Sequence, residues 1–435
     1  MIVKNANVEE RHYMEPGAFF SDMIGAYEAF AGIKGSFVLS HVPAGCGLMI
    51  REVMLREYYD EGETCSTALW ERDVIFSGED KLRRGIIKAL KIFKPAFIGI
   101  VPGTAATLIG DDMDGVVNST REWLAEEHGI KIPIISVRTS ALEGNKITGF
   151  NLATEALVEK VVAEPAQKRT KTVNIFGVMG EMPNANADAM EMRRLLGELG
   201  IEVNEVFISE SEVEDIQRAA EANLNIVVSE VLGVEAAKKM DQRFGIPYIV
   251  VPYPIGVTNT KRFLQEAASH IGVEKGRVNK LIAKEVDTVK TAMRKASFTA
   301  AHVRVTPFIG SKAIVVGDST HVLGITRFLK EEWGVNPALL ALRTHTEESL
   351  ELLRGLEKEL GIETQVLLDP SQEQINDAIE EIKPYLVLGG SYERLALRNN
   401  GLDKAGTVFV HIATYPTSVN FDGGRYDIFP HPFAG

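Results

Sequence analysis

Three observations predict an α/β protein of three doubly wound lobes with parallel sheets. One unit recurs along the chain: an apolar run, a glycine-containing turn and an amphipathic helix. Its apolar runs are continuous rather than alternating. That is the pattern of strands buried on both faces, and such strands belong to parallel sheets. The chain has 435 residues, about three domains at roughly 150 residues each.

The elements follow in order. The run Phe37-Val38-Leu39 is a strand, and it leads into the small-residue loop 41–47. Residues 96–103 are a strand and turn, with a helix starting near Asp112. Residues 173–178 and a helix ending at 196–200 begin a second lobe. The strand 223–229, a helix ending at Phe244-Gly245 and the strand 248–251 are its second half. Residues 312–318 and a helix ending at Trp333-Gly334 begin a third, continued by 383–390 and 407–411. The helices stop at glycine or just before it, as C-cap chemistry requires. The polar stretch 165–171, and 306–311 after a long helical segment around 261–300, mark the seams. The lobes are then 1–168, 169–305 and 306–435, Rossmann-like and grouped around a central cavity.

Composition narrows the function. Hydrophobic residues are 45% and charged residues 25%, with a net charge of −13. An acidic chain lacks the basic stripe of a nucleic-acid binder. No apolar run has the length of a membrane span. The N-terminus has no apolar segment after a basic start, so a signal peptide is not expected and the cytoplasm is. No GxxxxGK[ST] loop occurs and no GxGxxG opens a helix, so no ATP site is expected on this chain. HExxH, CxxC and paired histidines are absent too. Asp111-Asp112 suits either a carboxylate metal site or an N-cap with a first-turn acid.

The two cysteines are placed suggestively. Cys46 lies after a strand among small residues that permit close backbone approach. Cys65 lies in a second loop, within Gly62-Glu63-Thr64-Cys65-Ser66-Thr67. Strand-end thiols suit iron–sulfur ligation. By themselves they are equally two core thiols.

Longer blocks carry a resemblance. Residues 25–47 (GAYEAFAGIKGSFVLSHVPAGCG), 71–86 (ERDVIFSGEDKLRRGI) and 103–117 (GTAATLIGDDMDGVV) resemble, in that order, the component 1 proteins of nitrogenase. The same family includes the dark-operative chlorophyll reductases, the cofactor scaffolds and the methanogen nickel-tetrapyrrole reductive cyclase. Residues 145–150 (NKITGF), Phe244-Gly245-Ile246-Pro247 and Pro254-Ile255-Gly256-Val257 match further blocks. The resemblance implies Cys46 and Cys65 as cluster ligands. Thr104 stands where the family has its third cluster cysteine. Ser229 stands at the cysteine that holds nitrogenase's active-site cofactor. Ala413 stands near that cofactor's histidine, with His411 two residues before it. A dinitrogen-reducing subunit is therefore not expected.

The expectation is a substrate-binding oxidoreductase component fed electrons by a separate ATP-hydrolysing iron protein. Two cysteines per chain are half the ligands of one 4Fe-4S cluster, so a homodimer would complete it across a twofold axis. A paralogous subunit in a heteromeric, beta-like or scaffold complex is the alternative, and a non-catalytic cluster-binding assembly protein is a third. The substrate is a small molecule, with a tetrapyrrole as the specific guess. His41, Glu230, His321 and His411 are the catalytic candidates and Ser229 a cofactor-binding one. At least three of these five should share one pocket. Arg72, Glu79, Asp80 and Lys81 are either a docking surface for the iron protein or a solvated, capping segment.

Overall fold

The computed structural model describes residues 2–5, 21–57, 63–142, 144–178, 185–209, 211–299 and 309–412. Ala413 lies outside them. In chain order the strands are β1 (Ile2–Asn5), β2 (Ser36–His41), β3 (Glu63–Ser66), β4 (Phe97–Pro102), β5 (Ile134–Ser136), β6 (Thr172–Phe176), β7 (Glu202–Val206), β8 (Leu224–Val227), β9 (Tyr248–Val250), β10 (Lys312–Asp318), β11 (Asn336–Thr344), β12 (Gln365–Leu368), β13 (Leu386–Gly389) and β14 (Val408–His411). They form three sheets, ordered β3-β2-β4-β5, β7-β6-β8-β9 and β1-β12-β11-β10-β13-β14. Neighbouring strands in each run parallel. β2 and β4 are buried along their whole length; the unbroken apolar run of β4 predicts this, while β2 buries Ser36, Ser40 and His41 as well.

Each sheet starts in its middle. The chain enters at β2, β6 or β10, winds one way and then crosses to the other side. The reversal leaves a crevice at the C-terminal strand ends, where such folds bind ligands. His41 ends β2, Gly177 follows β6 and Asp318 ends β10.

β1 departs from the lobe expected over 1–168. It joins the far edge of the last sheet, with Ile2 opposite Gln365 and Asn5 opposite Leu368. An edge strand is recruited by main-chain hydrogen bonds, so its own short sequence says little about its partner. One contiguous core links the lobes, with Phe30 and Phe97 from the first, Phe176 and Phe207 from the second, and Val315 and Leu340 from the third. The helices Asp22–Ala31 and Lys146–Lys160 cross at two glycines. A Cβ on Gly25 would stand 1.8 Å from the Lys146 carbonyl oxygen, and one on Gly149 1.6 Å from that of Asp22. Among the described residues no helix is long and apolar enough to cross a membrane.

Candidate functional site

The first crevice carries both thiols. Cys46 lies in the first turn of the helix Ala44–Glu57 and Cys65 within β3, where loops were expected. The helix starts directly after Pro43, whose carbonyl accepts from Gly47 N at 3.1 Å; a proline tolerates that position because it has no N–H to lose. β3 is short and polar, and it exists because Cys65 pairs with Leu39 of β2. Both cysteines are exposed. A Cβ on Gly47 would lie 2.3 Å from the Ser66 Cβ, so the residues following the two cysteines press together. Thr104 opens the helix Thr104–Ile109 beyond β4, and Gly103 N donates to the His41 carbonyl at 3.3 Å. Leu48 and Met49 after β2, Trp70, Ile75 and Phe76 after β3, and Leu108 after β4 are all exposed. Among the described residues, no group of three or more His, Cys, Asp or Glu is placed to hold a metal.

Behind the thiols lies a buried polar knot. His41 is fully buried, with Nδ1 2.8 Å from Thr67 Oγ1 and Nε2 3.0 Å from Asp111 Oδ2. Burial lowers its pKa and outweighs the pull of Asp111, so the imidazole is neutral at pH about 7. Asp111 also accepts from Ser77 Oγ at 2.8 Å and Gly78 N at 3.0 Å. Asp112 is the N-cap of the helix Met113–His128, accepting from Gly115 N at 3.0 Å. The aspartate pair is thus a buried hub and a cap, rather than a cap and a first-turn acid. Glu79 accepts from Asp112 N at 3.1 Å. Lys81 reaches Asp73 and the Ala68 carbonyl, both at 2.6 Å, beneath the Trp70 ring. Of the four docking candidates, Arg72 and Asp80 are exposed while Glu79 and Lys81 are engaged.

The second constellation joins the central and last lobes. Ser229, buried beyond β8, accepts from Val231 N and Leu232 N at 3.2 and 3.0 Å. Its Oγ lies 2.8 Å from Thr320 Oγ1. Glu230 accepts from Ser319 Oγ at 2.6 Å and Thr320 Oγ1 at 2.8 Å. These hydroxyls open the helix Ser319–Trp333, capped by Asp318. Asp318 Oδ2 is 2.7 Å from His321 Nδ1. The His321 ring lies 5.2 Å from that of Tyr253, whose hydroxyl donates to Asp188 at 3.0 Å. Burial pushes Asp188 up to about 7, against the Tyr253 hydrogen bond and the His321 charge. Burial also raises Glu230, against its two hydroxyl donors. Burial pulls His321 down, but Asp318, Asp188 and Glu230 outweigh it and hold it above its ordinary value.

The five candidates therefore divide. Ser229, Glu230 and His321 belong to one cluster. His41 belongs to the first crevice. His411 ends β14 opposite Gly389, half-buried, with no hydrogen-bond partner for Nε2 among the described residues. Burial lowers its pKa despite Glu393 nearby. Asp188 and Tyr253 escaped sequence reading. Asp188 interrupts the apolar stripe Ala185, Ala189, Met192 of the helix Ala185–Glu198, and Tyr253 lies between two prolines after the strand expected at 248–251.

A family model described as Nitrogenase component 1 type Oxidoreductase matches residues 21–419. The chain belongs to this family. It is 25% identical over 357 residues to a nitrogenase vanadium-iron protein beta chain of Trichormus variabilis, covering 77% of this chain and 73% of that one. It is 26% identical over 422 residues to a subunit of the light-independent protochlorophyllide reductase of Dinoroseobacter shibae, covering 94% and 75%. The solved structure titled Nitrogenase Cp1 at pH 6.5 matches with a TM-score of 0.80 and 19% identity, over 96% of this chain and 90% of that one. As a nitrogenase component 1-type oxidoreductase, the chain shares that fold of parallel-sheet lobes.

Proposed function

We propose that this chain is the substrate-binding component of a nitrogenase-like ATP-dependent reductase, with Cys46 and Cys65 holding half of a 4Fe-4S cluster completed by a second copy. The observation that carries this reading is the placement of two exposed thiols at adjacent strands, with exposed large apolar side chains on the segments that follow those strands and β4. Two thiolates fit half of a four-iron site, and a twofold axis brings two such halves together. Large apolar side chains clustered on a surface mark a contact site. When bound, the cluster supplies one-electron transfer. This chain's residues position it: the His41–Asp111 knot fixes the strand ends that carry both thiols, and the apolar rim excludes water around them. A separate iron protein docks on this edge and supplies the electrons.

The substrate class proposed is a tetrapyrrole. Relatives named protochlorophyllide reductase support it, as does Ser229 at the family's cofactor-ligating position. The crevice between the lobes would hold it, with Glu230, His321 and His411 as proton donors. A second reading is a chain paired with a paralogue, favoured by relatives whose names make each of them one part of a larger complex.

The test is electron delivery. Anaerobically purified protein is mixed with a nitrogenase-type iron protein and MgATP, and the thiolate-to-iron absorption is followed. ATP-dependent bleaching that is lost in Cys46→Ala and Cys65→Ala is expected. No thiolate-to-iron absorption in the wild type, or bleaching unchanged in both variants, contradicts it.

A further inference from the structure

We propose that two helices of opposite charge, Glu79–Phe93 in the first lobe and Gln372–Ile382 in the last, dock one copy of this chain head-to-tail on a second copy. Residues 81–110 hold six Lys and Arg and no Asp or Glu, in a chain whose net charge is −13. Five of the six cations lie on the helix Glu79–Phe93, and the sixth, Lys94, is its C-cap. Leu82, Ile86 and Ala89 are the buried side of this helix. Arg84, Lys88 and Lys91 fall on the opposite side at i, i+4 and i+7, and all three are exposed. That spacing makes them one continuous basic stripe.

The helix Gln372–Ile382 has the reverse character. It contains no Lys or Arg. Ile375 and Ile379 are its buried side, and Asp377, Glu380 and Glu381 are exposed on the opposite one. Neither face is neutralised within the chain. Arg84 Nε donates to the Asp80 carbonyl at 3.2 Å, a main-chain partner without net charge. Among the described residues none of these six side chains forms an ion pair, whereas Arg194–Glu285, Lys239–Glu155 and Arg262–Glu359 pair elsewhere on the surface.

Charge and spacing make the two faces complementary. Like charges three and four residues apart repel one another on a helix, so each face gains from an opposite one laid against it. At 1.5 Å of rise per residue the basic stripe is about 10 Å long and the acidic one about 6 Å, so the acids of one copy lie within the cations of the next. Each face also has a large exposed apolar neighbour: Ile92 on the basic helix, and Leu395 on the helix Ser391–Asn399, which packs beside the acidic one. The two helices belong to different lobes, so the contact is heterologous. It needs no cluster and stands apart from the proposed function.

Sedimentation velocity of the full chain tests this, with Cys46→Ala present so that a cluster-bridged pair cannot form. At about 0.1 M salt the Debye length is about 10 Å, which damps the repulsion between two acidic chains and leaves the helix contact; at about 1 M it is about 3 Å and the contact is screened. Concentration-dependent association at the lower salt, lost at the higher, is expected. Lys88→Glu with Lys91→Glu, or Asp377→Lys with Glu380→Lys, should each weaken it about tenfold or more. An equimolar mixture of the two reversed chains should restore it, although both remain net acidic. No association of the parent chain at either salt overturns the proposal, whether or not the variants fold. Association that survives either reversal, or that mixing does not restore, overturns it too. So does a parent chain that stays monomeric but binds phosphatidylserine vesicles through Lys88 and Lys91, which gives the basic face to a lipid surface.

Discussion

The strand ends of the first lobe and those between the central and last lobes are built from the same topological feature and finished in opposite ways. In the first lobe the polar atoms turn inward, with His41, Ser77 and Gly78 all spent on Asp111. The outer surface is left with thiols and bare apolar side chains. Between the other two lobes the polar side chains meet one another across the interface, and Ser229, Thr320 and His321 are buried in doing so. Buried polar groups that satisfy each other rigidify a joint, whereas an exposed apolar rim is a surface awaiting a partner. One edge turns thiols and apolar side chains outward, and the other joins polar side chains of two lobes within the chain.

The sharpest way to break this contrast is at the thiols. Cys46→Ala or Cys65→Ala should each abolish bound iron altogether, measured as iron per chain, while thermal unfolding of the metal-free chain changes little. Next is the knot beneath them. Asp111→Ala strands the buried His41 Nε2 and Gly78 N and removes the partner of the exposed Ser77 hydroxyl, and should cost about 3 kcal/mol of stability, read from denaturant midpoints. The apolar rim comes third. Phe76 is 78% exposed and adds little to the chain's own core. Phe76→Asp should therefore weaken self-association about tenfold or more in sedimentation and leave unfolding of the separated chain within about 0.5 kcal/mol of wild type. Smallest is Lys81→Met. It loses the Asp73 contact and the Trp70 face and should cost about 1 kcal/mol by the same denaturant measurement.

Legibility differed between the two regions for physical reasons. Unbroken apolar runs such as 97–102 and 313–317 announce buried parallel strands, and glycines after helices announce their ends. β1 and β3 announce nothing, because each is defined by its neighbour and not by its own side chains. The polar cluster between the central and last lobes was half visible. Ser229, Glu230 and His321 lie at strand ends or helix starts, which topology makes functional. Their partners Asp188 and Tyr253 arrive from a helix and a proline-flanked loop through tertiary packing. His41 illustrates the converse. Its place beside Cys46 suggested a proton donor, whereas the decisive neighbour, Asp111, lies 70 residues away and holds it as a neutral structural tie.

The central claim is that this chain carries half of an iron–sulfur site and that a second copy carries the rest. Native mass spectrometry of anaerobically purified protein tests it most directly. The expected species is two identical chains plus the mass of one four-iron, four-sulfide group, falling to metal-free chains in Cys46→Ala. An iron-free monomer, or a full cluster on a single chain, would contradict it.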